Sequence, residues 1–423
     1  MSSPAPAPLG PATDTATAET GRTWSPWRVV VGFGTVSLAA DMVYEGARSV
    51  YGPLLASLGA SALVVGAVTG AGEAAALVFR VVSGPLADRT GRYWTLTIAG
   101  YALTAVCVPL LAFTPMLGAA GLVVAATLIL AERIGKAIRS PAKSALLAEA
   151  AAKVGMGRGL GVHKALDQIG AFAGPLLVAG LIAVTGALSW GLAALAVPGA
   201  VALALLVLTR RRLPAPVAPA GSDASSPPTV AAEARRPLPA SFLRFAVGTT
   251  LCTTGLVTFG LISFHLVERA LLPTAVVPLL YAGAMAAGAL AALLTGEAYD
   301  RLGPSVLLAL PPLVAGVPAL AFGGSLALAV PGVLLWGAAL GVQDSTVKAL
   351  VADLVPRDRR ATAYGVFAAV QGAGALVGGI GAGALYQNSL AALVAVIAVL
   401  QAAALLILLP VVLRPRRSAS TEG

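Results

Sequence analysis

The sequence predicts an all-α polytopic membrane protein of twelve transmembrane helices, arranged as two pseudo-symmetric six-helix bundles. Three observations carry that prediction: the composition, a series of apolar runs of membrane-spanning length, and two motifs that return in the second half. Of 423 residues, 58% are hydrophobic and 11% charged, against about 25% charged in an ordinary soluble domain. Mean hydropathy is +0.88. The bilayer must be the solvent of this chain, and its 48 glycines and 29 prolines suit membrane helices that pack closely and bend.

Residues 1–26 are dominated by Pro, Ala, Thr and Ser, which predicts a disordered cytoplasmic tail. No basic segment precedes a short apolar core there, so a cleaved signal is not expected. From Trp27 onward come twelve apolar runs: 27–50, 60–82, 94–113, 118–138, 160–184, 188–209, 241–267, 273–294, 304–322, 326–350, 361–385 and 389–413. Each is near the ~20 residues that cross the hydrocarbon layer. The first six form an N-terminal bundle, 27–209, and the last six a C-terminal bundle, 241–413. Between them, 210–240 opens on Arg210-Arg211-Arg212 and continues rich in Pro, Ala and Ser, as a cytoplasmic linker would, and 414–423 is a second tail.

The basic residues set the orientation. Arg89, Arg92, Lys143, Lys153, Arg158, Arg210 to Arg212, Arg301 and Arg414 to Arg417, with Pro415 between, fall in alternate connections or at the C-terminal end, whereas 113–118, 184–188, 322–326 and 385–389 hold none. Both termini are therefore expected in the cytoplasm. The net charge of +10 belongs to those loops, and no nucleic acid is implied.

Duplication shows at two places. Ser83-Gly84-Pro85-Leu86-Ala87-Asp88-Arg89-Thr90-Gly91-Arg92 reads as a tight charged turn between two apolar runs, and Thr295 to Pro304 repeats its Gly, Asp-Arg and Gly through Gly296, Asp300, Arg301 and Gly303. Gly161 to Ala171 corresponds to Gly365 to Ala375 at an offset of 204, which also relates Leu147-Ala148-Glu149 to Val351-Ala352-Asp353. Tandem halves around a midplane site are what a rocking transporter requires.

The first motif continues to Leu96 and fits Gly-x-Leu-Ala-Asp-Arg-x-Gly-Arg-x-x-x-Leu, with Tyr93 where Lys or Arg is common. It resembles the loop between helices two and three of the major facilitator superfamily of secondary transporters. The resemblance implies that Gly84, Asp88, Arg89, Gly91 and Arg92, with Asp300 and Arg301, form a conformational lock. Asp88 would pair with a basic residue and with the inner end of the eleventh helix. It also implies that the first helix lines the cavity and the second flanks it.

Charges inside the runs cost about 2.5–3.5 kcal/mol each on insertion scales, so each needs a partner or a watery path. In the first helix Asp41, Glu45 and Arg48 stand at i, i+4 and i+7, on one face. Asp41 lies about 21 Å from Trp27 along the axis, near or just beyond mid-bilayer. Two acids one turn apart repel when both are ionised, and such a carboxylate suits proton binding and release. Glu45 with Arg48 also reads as a plain salt bridge. In the second helix Glu73 and Arg80 share a face, so Glu73 reads either as a cavity group or as an interhelical partner. In the fourth helix Glu132 and Lys136 read as an i, i+4 pair, and Arg133 as an anion or proton-relay partner close to the cytoplasm. In superfamily antiporters an Arg of this helix is often followed by x-x-Gln-Gly, which Ile134-Gly135-Lys136-Ala137 does not continue.

The fifth helix carries His163, Lys164 and Asp167 where the second half has Phe367, Ala368 and Gln371, so this polarity belongs to one half alone. Packing would not need that asymmetry. Gly170-x-x-x-Gly174-Pro175 resembles the fifth-helix motif of superfamily antiporters, although Leu176 and Leu177 replace the glycines expected next. Small residues four apart also serve close packing. Asp344 and Lys348 in the tenth helix are expected as an inner gate or a neutral pair.

Two cysteines, both in apolar runs, and two histidines give neither a disulfide framework nor a metal cluster. No Gly-x-x-x-x-Gly-Lys-Ser/Thr occurs, and no nucleophile constellation, so neither a cofactor nor an enzyme activity is expected. The reading is a bacterial cytoplasmic-membrane transporter, monomeric, moving a small organic molecule with protons. Export by antiport is the first choice. Uptake by symport or facilitated diffusion is the alternative, and a non-transporting receptor the rival from another class.

Overall fold

The computed structural model describes residues 24–213, 238–347, 350, 351, 354, 355 and 359–413. Most of the expected linker, nearly all of both tails and Lys348 lie outside the described residues. Among the described residues ten helical runs are long and apolar enough to cross a membrane. Two of them, Tyr93–Val154 at 62 residues and Val277–Ala321 at 45, are at least twice the length of one crossing. The first breaks at a 3₁₀ stretch containing Pro115 and Gly118, whose φ is +54°. The second breaks at Gly303, with φ +69°, followed by Pro304.

Divided at those breaks, the helices are α1 (Pro26–Arg48, continued by Tyr51–Ser57), α2 (Ala62–Thr90), α3 (Tyr93–Leu110), α4 (Gly121–Val154), α5 (Met156–Thr185) and α6 (Leu188–Arg212). The second half holds α7 (Ala240–Glu268), α8 (Val277–Leu302), α9 (Leu310–Ala321), α10 (Leu326–Val342), α11 (Arg360–Asn388) and α12 (Leu390–Val412).

The repeated motif is not a turn over its whole length. α2 runs through Ser83 to Thr90, carrying Pro85 within it, and reverses only at Gly91, which takes φ +63°. That left-handed conformation suits glycine and closes the helix. Gly303 ends α8 with a positive φ as well, +69°, but with an extended ψ of −154°. So the two equivalent glycines of the duplicated motif both end a helix at positive φ. α4 likewise continues well past its apolar run, to Val154.

α7 is discontinuous. It unwinds at Leu256-Val257 and restarts at Thr258, whose side chain caps the second piece by accepting from the Leu261 amide. Broken backbone inside a membrane must find partners in the protein. The indole of Trp336 on α10 donates to the Val257 carbonyl at 2.8 Å.

Glycines set the close helix pairs. A Cβ on Gly170 or Gly174 of α5 would collide with the backbone of Leu38 or Met42 on α1. At the offset of 204, Gly374 and Gly378 of α11 pack on Thr250 and Thr254 of α7 in the same way. The two halves then meet where α2 lies along α11 and α5 along α8. Gly66 and Gly70 face Gly379 there, and Gly383 faces Ala62 and Leu63.

Gly174→Val is expected to push α1 off α5, lower the unfolding midpoint and stop transport. Gly378→Val should cost comparable stability, roughly 1–3 kcal/mol for an overpacked core site. Thermal unfolding of the purified variants beside flux in liposomes checks the pair.

Candidate functional site

The end of the molecule away from the basic connections is closed. The Tyr51–Ser57 helix packs on the second piece of α7, with Gly52 against Gly260, Ser263 and Phe264. Thr69 of α2 bonds Thr258 at 2.7 Å. Beneath this closure lies an aromatic group from the second half. Phe259 stands 4.6 Å from Tyr281 and 5.4 Å from Trp336, centroid to centroid. All three rings are fully buried.

A charge network hangs below it from α1, α2 and α4. Arg48 Nη2 meets Glu73 Oε1 at 2.7 Å, and its Nη1 lies 3.8 Å from Glu45 Oε2. Arg133 reaches Glu73 and Glu132, both at 3.6 Å, and donates to the Tyr44 hydroxyl. Tyr281 of α8 donates to Glu45, which ties the first half to the second. Arg48 also lies 5.9 Å from the Trp336 ring. The Glu73 side chain is 30% exposed although it sits in mid-helix.

Asp41 turns away from its α1 neighbours towards α5. Its carboxyl and that of Asp167 are within hydrogen-bonding reach of each other. The glycine contacts at Leu38 and Met42 bring the two helices close enough for this. Asp167 also holds Lys164 at 2.8 Å. A polar chain continues beside it: Lys143 donates to Ser37 at 3.0 Å, and Ser37 lies 3.0 Å from His163 Nε2. The equivalent place in the second half is uncharged. There Thr253 of α7 donates to Gln371 of α11 and accepts from Gln343 of α10 at 2.9 Å.

The predicted residues thus part into groups. Asp41 with Asp167, and Glu45, Arg48, Glu73 and Arg133, come together around α1. Arg133 is not near the surface but deep, against Tyr44, because α4 extends further than its apolar run. Glu132 takes Arg133 and Thr104 rather than Lys136 as its near partners. Lys136 instead places its ammonium 3.2 Å from the centre of the Tyr44 ring.

The motif residues Arg89 and Arg92 are exposed, and Asp88 accepts from the Tyr93 hydroxyl at 2.9 Å. Arg301 pairs with Glu297, exposed like Asp300. Asp344 is exposed in a π-turn after α10, and its expected partner Lys348 lies outside the described residues. Ser37 and Thr253 were not singled out by spacing, and Lys143, expected in a basic connection, instead lies within α4 and donates to Ser37. Their contacts join separate helices and leave no period in the sequence.

Removing the phenol in Tyr281→Phe should loosen the closed end. A hydrogen bond to a charged group contributes about 1.5–3 kcal/mol, so the open population should rise by about one to two orders of magnitude. Ser263→Cys, buried at that closure, should then react correspondingly faster with an impermeant maleimide when Cys107 and Cys252 are replaced.

A two-half helical bundle with one end packed shut and a charge network between its helices is the architecture of an alternating-access carrier. The sequence matches the Major Facilitator Superfamily over residues 33–342 and 273–423, and the chain belongs to that family. An uncharacterized protein of Mycobacterium tuberculosis is 50% identical over 389 residues, 91% of this chain and 93% of the relative. An uncharacterized MFS-type transporter of Methanocaldococcus jannaschii is 28% identical over 148 residues, 34% of this chain and 35% of its own. Among solved structures, a variant of the nucleoside transporter NupG superposes with a TM-score of 0.71 at 14% identity, covering 90% of this chain and 99% of that one. A bacterial homologue of the iron transporter ferroportin in its inward-facing state gives 0.68 at 15% identity, covering 92% and 99%. The protein is a multi-pass membrane transporter of the major facilitator type.

Proposed function

We propose that this transporter is proton-coupled, moves a small organic molecule by alternating access, and holds its coupling proton between Asp41 and Asp167. One observation carries the reading: two carboxyls from different helices face each other at hydrogen-bonding reach. Two bare carboxylates repel at that separation, and a proton between them turns the repulsion into a bond. Loading and losing that proton changes the force between α1 and α5. α1 also carries, through the Glu45 carboxylate that accepts from Tyr281 of α8, the tie between the halves. Lys164 with its side chain 70% exposed opens the pair towards the basic end, which the charge rule assigns to the cytoplasm.

Exchange with protons would need substrate and proton to exclude each other, whereas co-transport needs them to bind together. The support for export came from Gly170, Gly174 and Pro175 and from the acids buried in the first half; the two glycines are accounted for by their packing on α1, and the acids serve either direction. Cations without a carboxylate partner stand near the acid pair, and a substrate drawn to cations binds with a proton rather than against it. Co-transport is therefore the mode the geometry supports best. The lock role of Asp88 belongs to this proposal too: in the present state its hydrogen bond goes to Tyr93, and it would exchange that partner for one on α11 when the basic end closes.

The test is proton movement in liposomes containing the purified protein, with a fluorescent pH reporter inside. Adding anionic, neutral and cationic compounds outside should produce internal acidification with at least one of them. Compounds that equilibrate across the membrane without moving protons would contradict the coupling.

A further inference from the structure

The acids of the network are already engaged: Glu45, Glu73 and Glu132 each lie within ion-pair distance of Arg48 or Arg133, and Asp167 of Lys164. The cations are in excess. Lys136, Arg139 and Lys143 stand at i, i+3 and i+7, along one face of α4. Among the described residues no carboxylate comes within ion-pair distance of any of these three or of Arg80. Arg139 is buried and makes do with the Thr104 hydroxyl and the face of Tyr101. Lys143 donates to Ser37, and Lys136 rests on the ring of Tyr44. Arg80 on α2 has a buried Nε with no hydrogen-bond partner. Glu73, Asp344 and Tyr44 act on it through space, as Lys136 acts on both Asp41 and Glu73.

A positive charge inside a membrane protein is kept where it faces a partner or a path for one. We infer that the missing partner is the substrate, an organic anion whose carboxylate or phosphate group is held between Arg80 and Lys136, beside the acid pair. The inference rests on the transport reading above and gives it a substrate class. A cationic substrate would have to displace an arginine from Glu73, whereas an anion meets Arg80, whose Nε has no hydrogen-bond partner, and Lys136, which is held by the Tyr44 ring and by no carboxylate within ion-pair distance among the described residues. Lys143 carries positive charge from Lys136 along α4 towards the basic end, so an anion entering from there meets charge of opposite sign along its path. Anion and proton bound side by side neutralise each other's charge, which makes their joint crossing cheaper than that of either alone.

The test uses the full-length protein in detergent, with unfolding followed through its tryptophans at constant ionic strength. The probes are sodium phosphate, sodium benzoate, benzamide and benzylammonium chloride. At least one of the two anions should raise the midpoint saturably, and the neutral and cationic analogues should not. Arg80→Gln and Lys136→Gln should each weaken the anion's apparent affinity about tenfold or more, Lys136→Arg should restore most of it, and Lys153→Gln, which removes an exposed surface charge, should leave it unchanged. A saturable response to benzylammonium or benzamide alone would overturn the inference, as would an anion response that both glutamine variants retain, or no response to either anion. The same compounds in the liposome assay separate the two readings. If benzylammonium moves protons and the anions do not, the anion site is wrong and proton coupling stands. If the anions bind through Arg80 and Lys136 but no compound moves protons, the coupling is wrong and the anion site stands.

Discussion

Arg133→Ala should be the most damaging single substitution in the charge network. Arg133 is almost wholly buried, and it is the near cation of Glu132, whose own Oε2 has no hydrogen-bond partner. Truncating it leaves Glu132 an uncompensated charge in a dry site and takes one of two cations from Glu73. Breaking a buried pair from one side costs about 3–5 kcal/mol. The unfolding midpoint should fall by many degrees and transport should disappear. Arg301→Ala, which breaks the exposed pair with Glu297, should cost no more than about 1 kcal/mol. Parallel thermal unfolding of the two variants reads the contrast, and equal losses would mean that the network is not the load its burial implies.

Asp41→Asn should leave the fold and substrate binding in place and remove coupling. An asparagine amide can still donate to Asp167, so the α1–α5 contact survives with its charge fixed. One coupled proton supports up to about tenfold accumulation per pH unit, since a pH unit is worth 1.36 kcal/mol. In liposomes under a one-unit gradient the wild type should approach that ratio, and the variant should settle near equal concentrations on both sides. Asp167→Asn should behave alike and also release Lys164 from its ion pair. A variant that accumulated substrate as wild type does would place the proton elsewhere.

Much of this molecule was legible in its sequence because membrane folding leaves plain marks. Apolar runs near twenty residues, basic residues in alternate connections, and glycines repeated at an offset of 204 each report a physical constraint. Gly91 and Gly303 prove to be the positive-φ ends of equivalent helices, and Gly170 with Gly374 the sites of equivalent close approach. What was not legible lies between helices. Period within α1 grouped Asp41 with Glu45, but the partner that Asp41 meets is on α5. The sequence did mark Asp167 as odd, because its counterpart is Gln371, and the structure shows the same architectural position filled by a carboxyl pair in one half and by Thr253 with Gln371 in the other. Arg133 was placed too shallow because hydropathy ends a helix where polar residues begin. α4 carries its polar residues inward and runs on to Val154.

The shared proton between Asp41 and Asp167 can be observed without knowing the substrate. Infrared difference spectra of the purified protein between acid and alkaline buffer report carboxyl groups through the C=O stretch of their protonated form. The wild type should show such a band titrating as one group, and Asp41→Asn and Asp167→Asn should each lose it. A band that persists unchanged in both variants would contradict the account, because the coupling proton would then reside on some other acid.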